Sequence, residues 1–229
     1  MNDLVNSELF EARHQFKERR ANGWFFILLA AIFCAMAVAI TYWKTTFGGV
    51  QVSGPSMQNT LYNGEYLLMR YYHEGDELPY GSVIILDVEH YPEVQASNAG
   101  KPESERTKYL IKRLIAKEGD VVRCKDGIVQ VRYAGDDEFT TLDEPYARYG
   151  DMGEYDFVAD YVVGEGEIFF LGDNRDNSLD SRYREGKSHL NTLYKESDIY
   201  GVIPDWALEH KQTLEKIFFW RERLALKKN

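Results

Sequence analysis

Three groups of residues in this chain of 229 have the types and spacing for hydrolysis. The first is Ser56, which follows a Gly54-Pro55 pair and precedes Met57. Serine is a poor nucleophile until a base takes its proton, and a Gly-Pro turn fixes the backbone so that the hydroxyl and its own N–H are presented together. The second is Lys112 in Tyr109-Leu110-Ile111-Lys112-Arg113-Leu114-Ile115, where strand alternation puts the lysine on the face of Leu110 and Leu114. An amine on an inward apolar face loses hydration, so its neutral form is favoured and its pKa falls. Reaching neutrality from ~10.4 takes about three pH units, roughly 4 kcal/mol. The third group is the run Gly172-Asp173-Asn174-Arg175-Asp176-Asn177-Ser178-Leu179-Asp180-Ser181-Arg182, directly after the apolar Ile168-Phe169-Phe170-Leu171. Small, amide, hydroxyl and paired charged side chains in such density read as a loop held by its own hydrogen bonds and ion pairs. Plainer readings exist for the first two groups. Most serines after Gly-Pro are turn residues, and most such lysines snorkel from an edge strand.

The elements that must position these groups read mainly as strands: Tyr66 to Tyr72, Ser82 to Leu86, Tyr109 to Ile115, Val121 to Arg123, Ile128 to Val131 and Ile168 to Leu171. They are short, β-branched or aromatic, and punctuated by Asn63-Gly64, Tyr80-Gly81, Glu118-Gly119-Asp120 and Lys125-Asp126-Gly127. The expected fold class is mainly β, an antiparallel β-sheet domain. Two stretches interrupt it. Residues 89–107 are polar and rich in Pro, Gly, Ser and Glu, which predicts a surface loop. Residues 133–164 carry nine acids against the single Arg148. They read as a solvated, dispensable excursion; calcium binding is the competing reading, disfavoured because the regular spacing of a calcium loop is missing.

Ahead of this domain, Trp24 to Trp43 holds no charge. Twenty helical residues span about 30 Å, the thickness of a hydrocarbon core. Trp24 at one end and Tyr42 and Trp43 at the other fit interfacial aromatic belts. A cleaved secretory signal is the competing reading, but this run exceeds a usual signal core and has 23 residues ahead of it. The division expected is therefore a cytoplasmic tail over 1–23, a transmembrane anchor over 24–43, an extracytoplasmic catalytic domain over 44–207 and an amphipathic helix over 208–229. Arg13, Lys17, Arg19 and Arg20 precede the span while Lys44 is the one basic residue close behind it. The positive-inside rule then puts the N-terminus in the cytoplasm. Cys34 falls in the span and Cys124 in the outer domain, so the two cannot pair. A net charge of −10 argues against nucleic acid as a partner. The five histidines are scattered without ligand spacing, so no metal and no other cofactor is expected. The tail after Leu208 places Leu214, Ile217, Phe218 and Arg221 at helical spacing with Phe219, Trp220 and, from Lys216 onward, five basic residues. It suits a membrane surface or packing against its own domain equally.

Ser56-Met57 with Thr60-Leu61, the Lys112-Arg113 strand ending in Gly119-Asp120, and the Gly172 to Arg182 run together resemble the bacterial type I signal peptidases. The resemblance covers roughly residues 24–203, and the Gly172 run is its most specific piece. It implies a membrane-bound serine endopeptidase that removes signal peptides from exported preproteins at the cytoplasmic membrane, with Ser56 as nucleophile and Lys112 as general base. It also implies that Ser178 hydrogen-bonds the lysine amine, that the Ser56 N–H meets the oxyanion beside Gly54 and Met57, and that Arg113, Asp173, Asp180 and Arg182 form structural ion pairs. Preprotein signal peptides, membrane lipid and the secretion translocon are the partners implied. The chain departs from the family at Asn59 and Glu118, where proline is usual, and at Gly54, where some members carry a hydroxyl. Asn59 is expected to loosen its loop slightly. A specialised processing peptidase with few substrates is the alternative within the same fold. A non-catalytic membrane-anchored binding protein is the rival from another class, disfavoured by the intact Ser56, Lys112 and Ser178.

Overall fold

The computed structural model describes residues 2–148, 160–182 and 194–222. It divides into two units, residues 1–46 and 47–229. The first is one helix, α1 (Asn2–Thr46). Its stretch Gly23–Thr46 is apolar and long enough to cross a membrane, and its described side chains from Trp24 to Trp43 are exposed.

The second unit is built from antiparallel strands. A six-stranded sheet runs in the order β1 (Phe47–Gln51), β2 (Tyr66–Tyr71), β10 (Ile199–Ile203), β3 (Val83–Asp87), β4 (Tyr109–Lys117), β9 (Ile168–Leu171). A four-stranded sheet follows the order β7 (Thr140–Thr141), β6 (Ile128–Arg132), β5 (Val121–Lys125), β8 (Tyr161–Val162). All six strands read from the sequence are present. β1, β7, β8 and β10 were not anticipated, because two are dipeptides and the others contain glycine. In β10 the glycine has a packing reason. A Cβ on Gly201 would fall 2.9 Å from the Arg70 carbonyl oxygen of β2, closer than neighbouring strands allow.

Residues 89–107 are more ordered than a surface loop. They contain α2 (Pro92–Asn98), with proline at its start where no N–H is needed, and a 3₁₀ turn over Glu103–Glu105. Asn98 staples the stretch by donating to Thr107 O (2.7 Å) and accepting from Thr107 N (2.8 Å).

The large sheet is buried on both faces, so burial does not alternate along β3 or β4. Ile84 and Leu86 pack into one cluster with Leu114, Phe170 and Tyr194. Val83 and Ile85 pack into another with Met57, Leu61, Leu67 and Ile203. A bulge between Leu114 and Ala116 shifts the register of β4. Beyond it, Ile115 and Ala116 join Phe169, Val122 and Val131 in a third cluster that ties the two sheets together. The C-terminal segment forms α3 (Asp205–Glu209) and α4 (Lys211–Phe218). Leu208, Leu214 and Phe219 pack against the second cluster, Phe219 stacks on Tyr66, and Ile217, Phe218 and Trp220 stay exposed. Residues 149–159 of the acidic stretch and 223–229 of the tail lie outside the described residues.

Candidate active site

Ser56 lies in a tight turn between β1 and β2. Gly54 takes φ +90°, open to glycine at no steric cost, and its N–H donates to Asn63 Oδ1 (2.9 Å). Met57 is buried, and its carbonyl accepts from Thr60 N (3.0 Å) and Leu61 N (2.8 Å). Among the described residues the Ser56 N–H donates to nothing, so it is available to a developing oxyanion. Asn59 adopts φ +87°. Proline is locked near −65°, so this position is committed to a left-handed turn rather than loosened.

Lys112 enters from β4, 3% exposed. Its amine lies 2.9 Å from Ser56 Oγ and 3.0 Å from the Ile111 carbonyl. Burial pushes it down to about 8, with the Asp180 and Asp173 carboxylates acting in the opposite sense and Arg182 adding slightly to the fall.

The Gly172–Arg182 loop brackets both residues. Asn174 N donates to Ser56 O (2.9 Å) and Asn174 Nδ2 to Pro55 O (3.1 Å). Gly172 is required by close approach: a Cβ there would sit 2.1 Å from Ser178 Oγ and 2.6 Å from Ser56 O. Arg113 makes a bidentate pair with Asp173, Nε to Oδ1 at 2.8 Å and Nη2 to Oδ2 at 2.6 Å, and donates to Gly81 O at 2.8 Å. Thr60 joins the pair through Asp173. Arg182 grips Asp180 through Nε (2.7 Å) and Nη2 (3.0 Å), and Gly172 N donates to the same carboxylate (2.9 Å). Burial would push the Asp180 carboxyl up, but the Arg182 charge and these hydrogen bonds outweigh it and hold the carboxyl below its usual range.

Ser178 departs from expectation. Its buried hydroxyl makes no hydrogen bond to Lys112 and meets no partner at hydrogen-bond geometry, although it is near enough to Asp180 to favour that carboxylate. It packs against Gly172, and the amine takes the Ile111 carbonyl instead.

A cavity of about 560 Å³ opens beside the Ser56 hydroxyl and the lysine, walled by Val52, Met57, Met69, Ile85, Leu110 and Ile111. Tyr71, Tyr109 and Tyr200 also line it, with ring centroids 4.8–5.4 Å apart.

The sequence reading overlooked Asn174, Arg175 and the Glu144–Arg148 segment. Glu144 and Arg175 form a nearly inaccessible ion pair, with side chains 6% and 1% exposed. Tyr146 stacks under Arg113, whose guanidinium carbon is 3.8 Å from the ring centroid. This part of the acidic stretch is therefore packed rather than solvated. Arg175 was visible inside the Gly172 run, whereas nothing local marks Glu144 among eight other acids.

An antiparallel β domain thus brings a buried amine against a serine hydroxyl. Residues 25–205 match the family described as signal peptidase, peptidase S26, and the chain belongs to it as a type I signal peptidase hydrolase. Signal peptidase I P of Bacillus subtilis subsp. natto is 26% identical over 189 residues, spanning 81% of this chain and 90% of its own. Signal peptidase I of Bacillus caldolyticus is 29% identical over 180 residues, spanning 73% and 83%. Among solved structures, a signal peptidase I from Enterococcus faecalis is 20% identical, covering 56% of this chain and 98% of its own with a TM-score of 0.35.

Proposed function

We propose that this chain is a membrane-anchored serine endopeptidase that removes signal peptides from exported preproteins through a Ser56–Lys112 dyad. The observation that carries the reading is the 2.9 Å approach of the buried Lys112 amine to Ser56 Oγ. Neutral Lys112 takes the Ser56 proton as Oγ attacks the scissile carbonyl, and the Ser56 N–H meets the oxyanion. The resulting ammonium protonates the leaving amine. Water then attacks the acyl-serine as Lys112 takes its proton, and Lys112 returns that proton to Ser56 Oγ as the C–O bond breaks and the new carboxyl product leaves. An ammonium has three N–H donors, of which Ser56 Oγ and Ile111 O accept two. The Ser178 hydroxyl, whose oxygen is buried beside Asp180, is the acceptor that the charged form can recruit on a side-chain rotation.

Arg113–Asp173 and Arg182–Asp180 hold the loop to the strand, which keeps the two reacting atoms in register. The part of the cavity wall formed by Val52, Met57, Met69, Ile85 and Leu110 suits the alanine-sized side chains that the family implies at the first and third positions before the cut. Helix α1 serves as the anchor, with the basic N-terminal flank in the cytoplasm and the catalytic domain outside. Protease added to intact spheroplasts then digests the chain beyond Lys44; digestion of the N-terminal tail instead reverses the orientation. Incubating the detergent-solubilised full chain with a preprotein and locating the cut by mass spectrometry tests the activity. One cut after a small residue is expected, absent with Ser56→Ala. Equal cleavage by that variant removes Ser56 as nucleophile. A panel of unrelated preproteins separates a general enzyme, which cuts most, from a specialist, which cuts few.

A further inference from the structure

We infer that residues Glu144–Arg148 are a positioning strap for the catalytic loop, acting through Arg175 and Arg113. The segment leaves β7 by Leu142, whose N–H donates to Val129 O (3.0 Å), and turns at Glu144 with Ala147 N donating to Glu144 O (3.0 Å). Arg148 N then donates to Asp173 O (2.7 Å) and Arg175 N to Arg148 O (2.9 Å), a parallel bridge opposite Asn174. Asn174 is the residue whose N–H holds Ser56 O. The strap is thus one peptide unit removed from the nucleophile's own backbone.

Two side-chain contacts reinforce this ladder. Glu144 takes both Arg175 Nη groups, at 3.0 and 2.5 Å, and Arg175 Nε donates to Gly172 O (2.9 Å). That fixes the peptide that must pass between Ser178 Oγ and Ser56 O. The Tyr146 ring covers Arg113 while its hydroxyl donates to Glu144 (3.2 Å). A guanidinium sandwiched between a carboxylate and an aromatic face is restrained in plane and in depth. Arg113 follows Lys112 directly in β4, so the strap bears on the base strand as well as on the loop. None of Glu144 to Arg148 lines the cavity, so the strap acts on the reacting geometry and leaves substrate binding alone. A misplacement of about 1 Å at such a centre costs up to ~10²-fold in rate.

The inference rests on Ser56 as the nucleophile, and its test carries Ser56→Ala beside it. Tyr146→Leu, Tyr146→Phe and Glu144→Gln are assayed in the full chain on a signal-peptide-spanning peptide, with kcat and KM separated and folding followed by thermal melting. Tyr146→Leu is expected to lose about tenfold in kcat with KM within twofold, and Tyr146→Phe, which keeps the ring over Arg113, to stay within twofold of the parent. Glu144→Gln is expected to fall between them. Parent kcat in Tyr146→Leu, a loss that resides in KM, or equal losses in the Leu and Phe variants overturns the strap. So does failure of Tyr146→Leu to fold, since a merely positioning contact can be loosened without losing the fold. Full activity of Ser56→Ala instead defeats the nucleophile assignment, whatever the Tyr146 variants do.

Discussion

Lys112 and Arg113 are neighbours on one strand, both basic and both buried, at 3% and 8% exposure, yet their surroundings differ. Arg113 has the two oxygens of Asp173, the carbonyl of Gly81, the hydroxyl of Thr60 and the face of Tyr146. Lys112 has a serine hydroxyl and one carbonyl. A buried cation matched by an anion strengthens its site, whereas a buried cation given neutral acceptors alone is driven to shed its proton. Adjacent positions thus yield a strut and a base, and what separates them at like depth is the partner set together with the side chain itself, since a guanidinium keeps its proton.

The sharpest way to break this comparison is Lys112→Arg, which keeps the charge but cannot give up a proton near neutrality. Turnover is expected to fall about 10⁴-fold or more while the protein stays folded; a folded variant near the parent rate ends the dyad mechanism. In the parent, kcat/KM is expected to climb about tenfold per pH unit below about 8 and to level off above it, following the unprotonated amine of the free enzyme.

Neutralising each cation in turn is expected to move stability in opposite directions. Arg113→Met strands the Asp173 carboxylate in the interior and is expected to cost about 3–5 kcal/mol. Lys112→Met removes an amine that the fold disfavours in its charged form. A fall from 10.5 to about 8 corresponds to roughly 3 kcal/mol, the upper bound of the gain. The sign follows from linkage: the unfolded chain binds the extra proton, so the penalty is fully present below about pH 8 and disappears as pH rises towards 10.5. Denaturant midpoints for the two variants at pH 7 and pH 10 check both statements. Equal destabilisation by both variants dissolves the contrast.

Ser178→Ala gives a smaller effect than loss of the base. It removes the spare acceptor and is expected to lower kcat about 10²-fold with little change in melting temperature. Unchanged turnover excludes Ser178 from the mechanism.

Strand patterning and the three motif groups were legible because their signals are local: alternation, turn dipeptides, and a run of loop-forming polar residues. Ser56, Lys112 and the two ion pairs were named through the resemblance that these motifs carry, since on residue type and spacing alone plainer readings of the serine and the lysine were open. Strands such as β10 were not, since Ile199-Tyr200-Gly201-Val202-Ile203 is interrupted by a glycine whose reason is the Arg70 carbonyl on another strand. The strap was invisible for the same kind of reason. Glu144 differs from its acidic neighbours only in what it meets 31 residues later, and no periodicity encodes a partner at that distance. Ser178 shows the converse, in that a motif can place a residue at a site without specifying its rotamer.

Asn59 also bears on how this nucleophile turn can change. At φ +87° the turn admits asparagine or glycine at little cost and excludes proline outright. A proline at this position would therefore cost this chain stability unless the turn re-forms in the same move. One backbone angle decides which residues the nucleophile turn accepts.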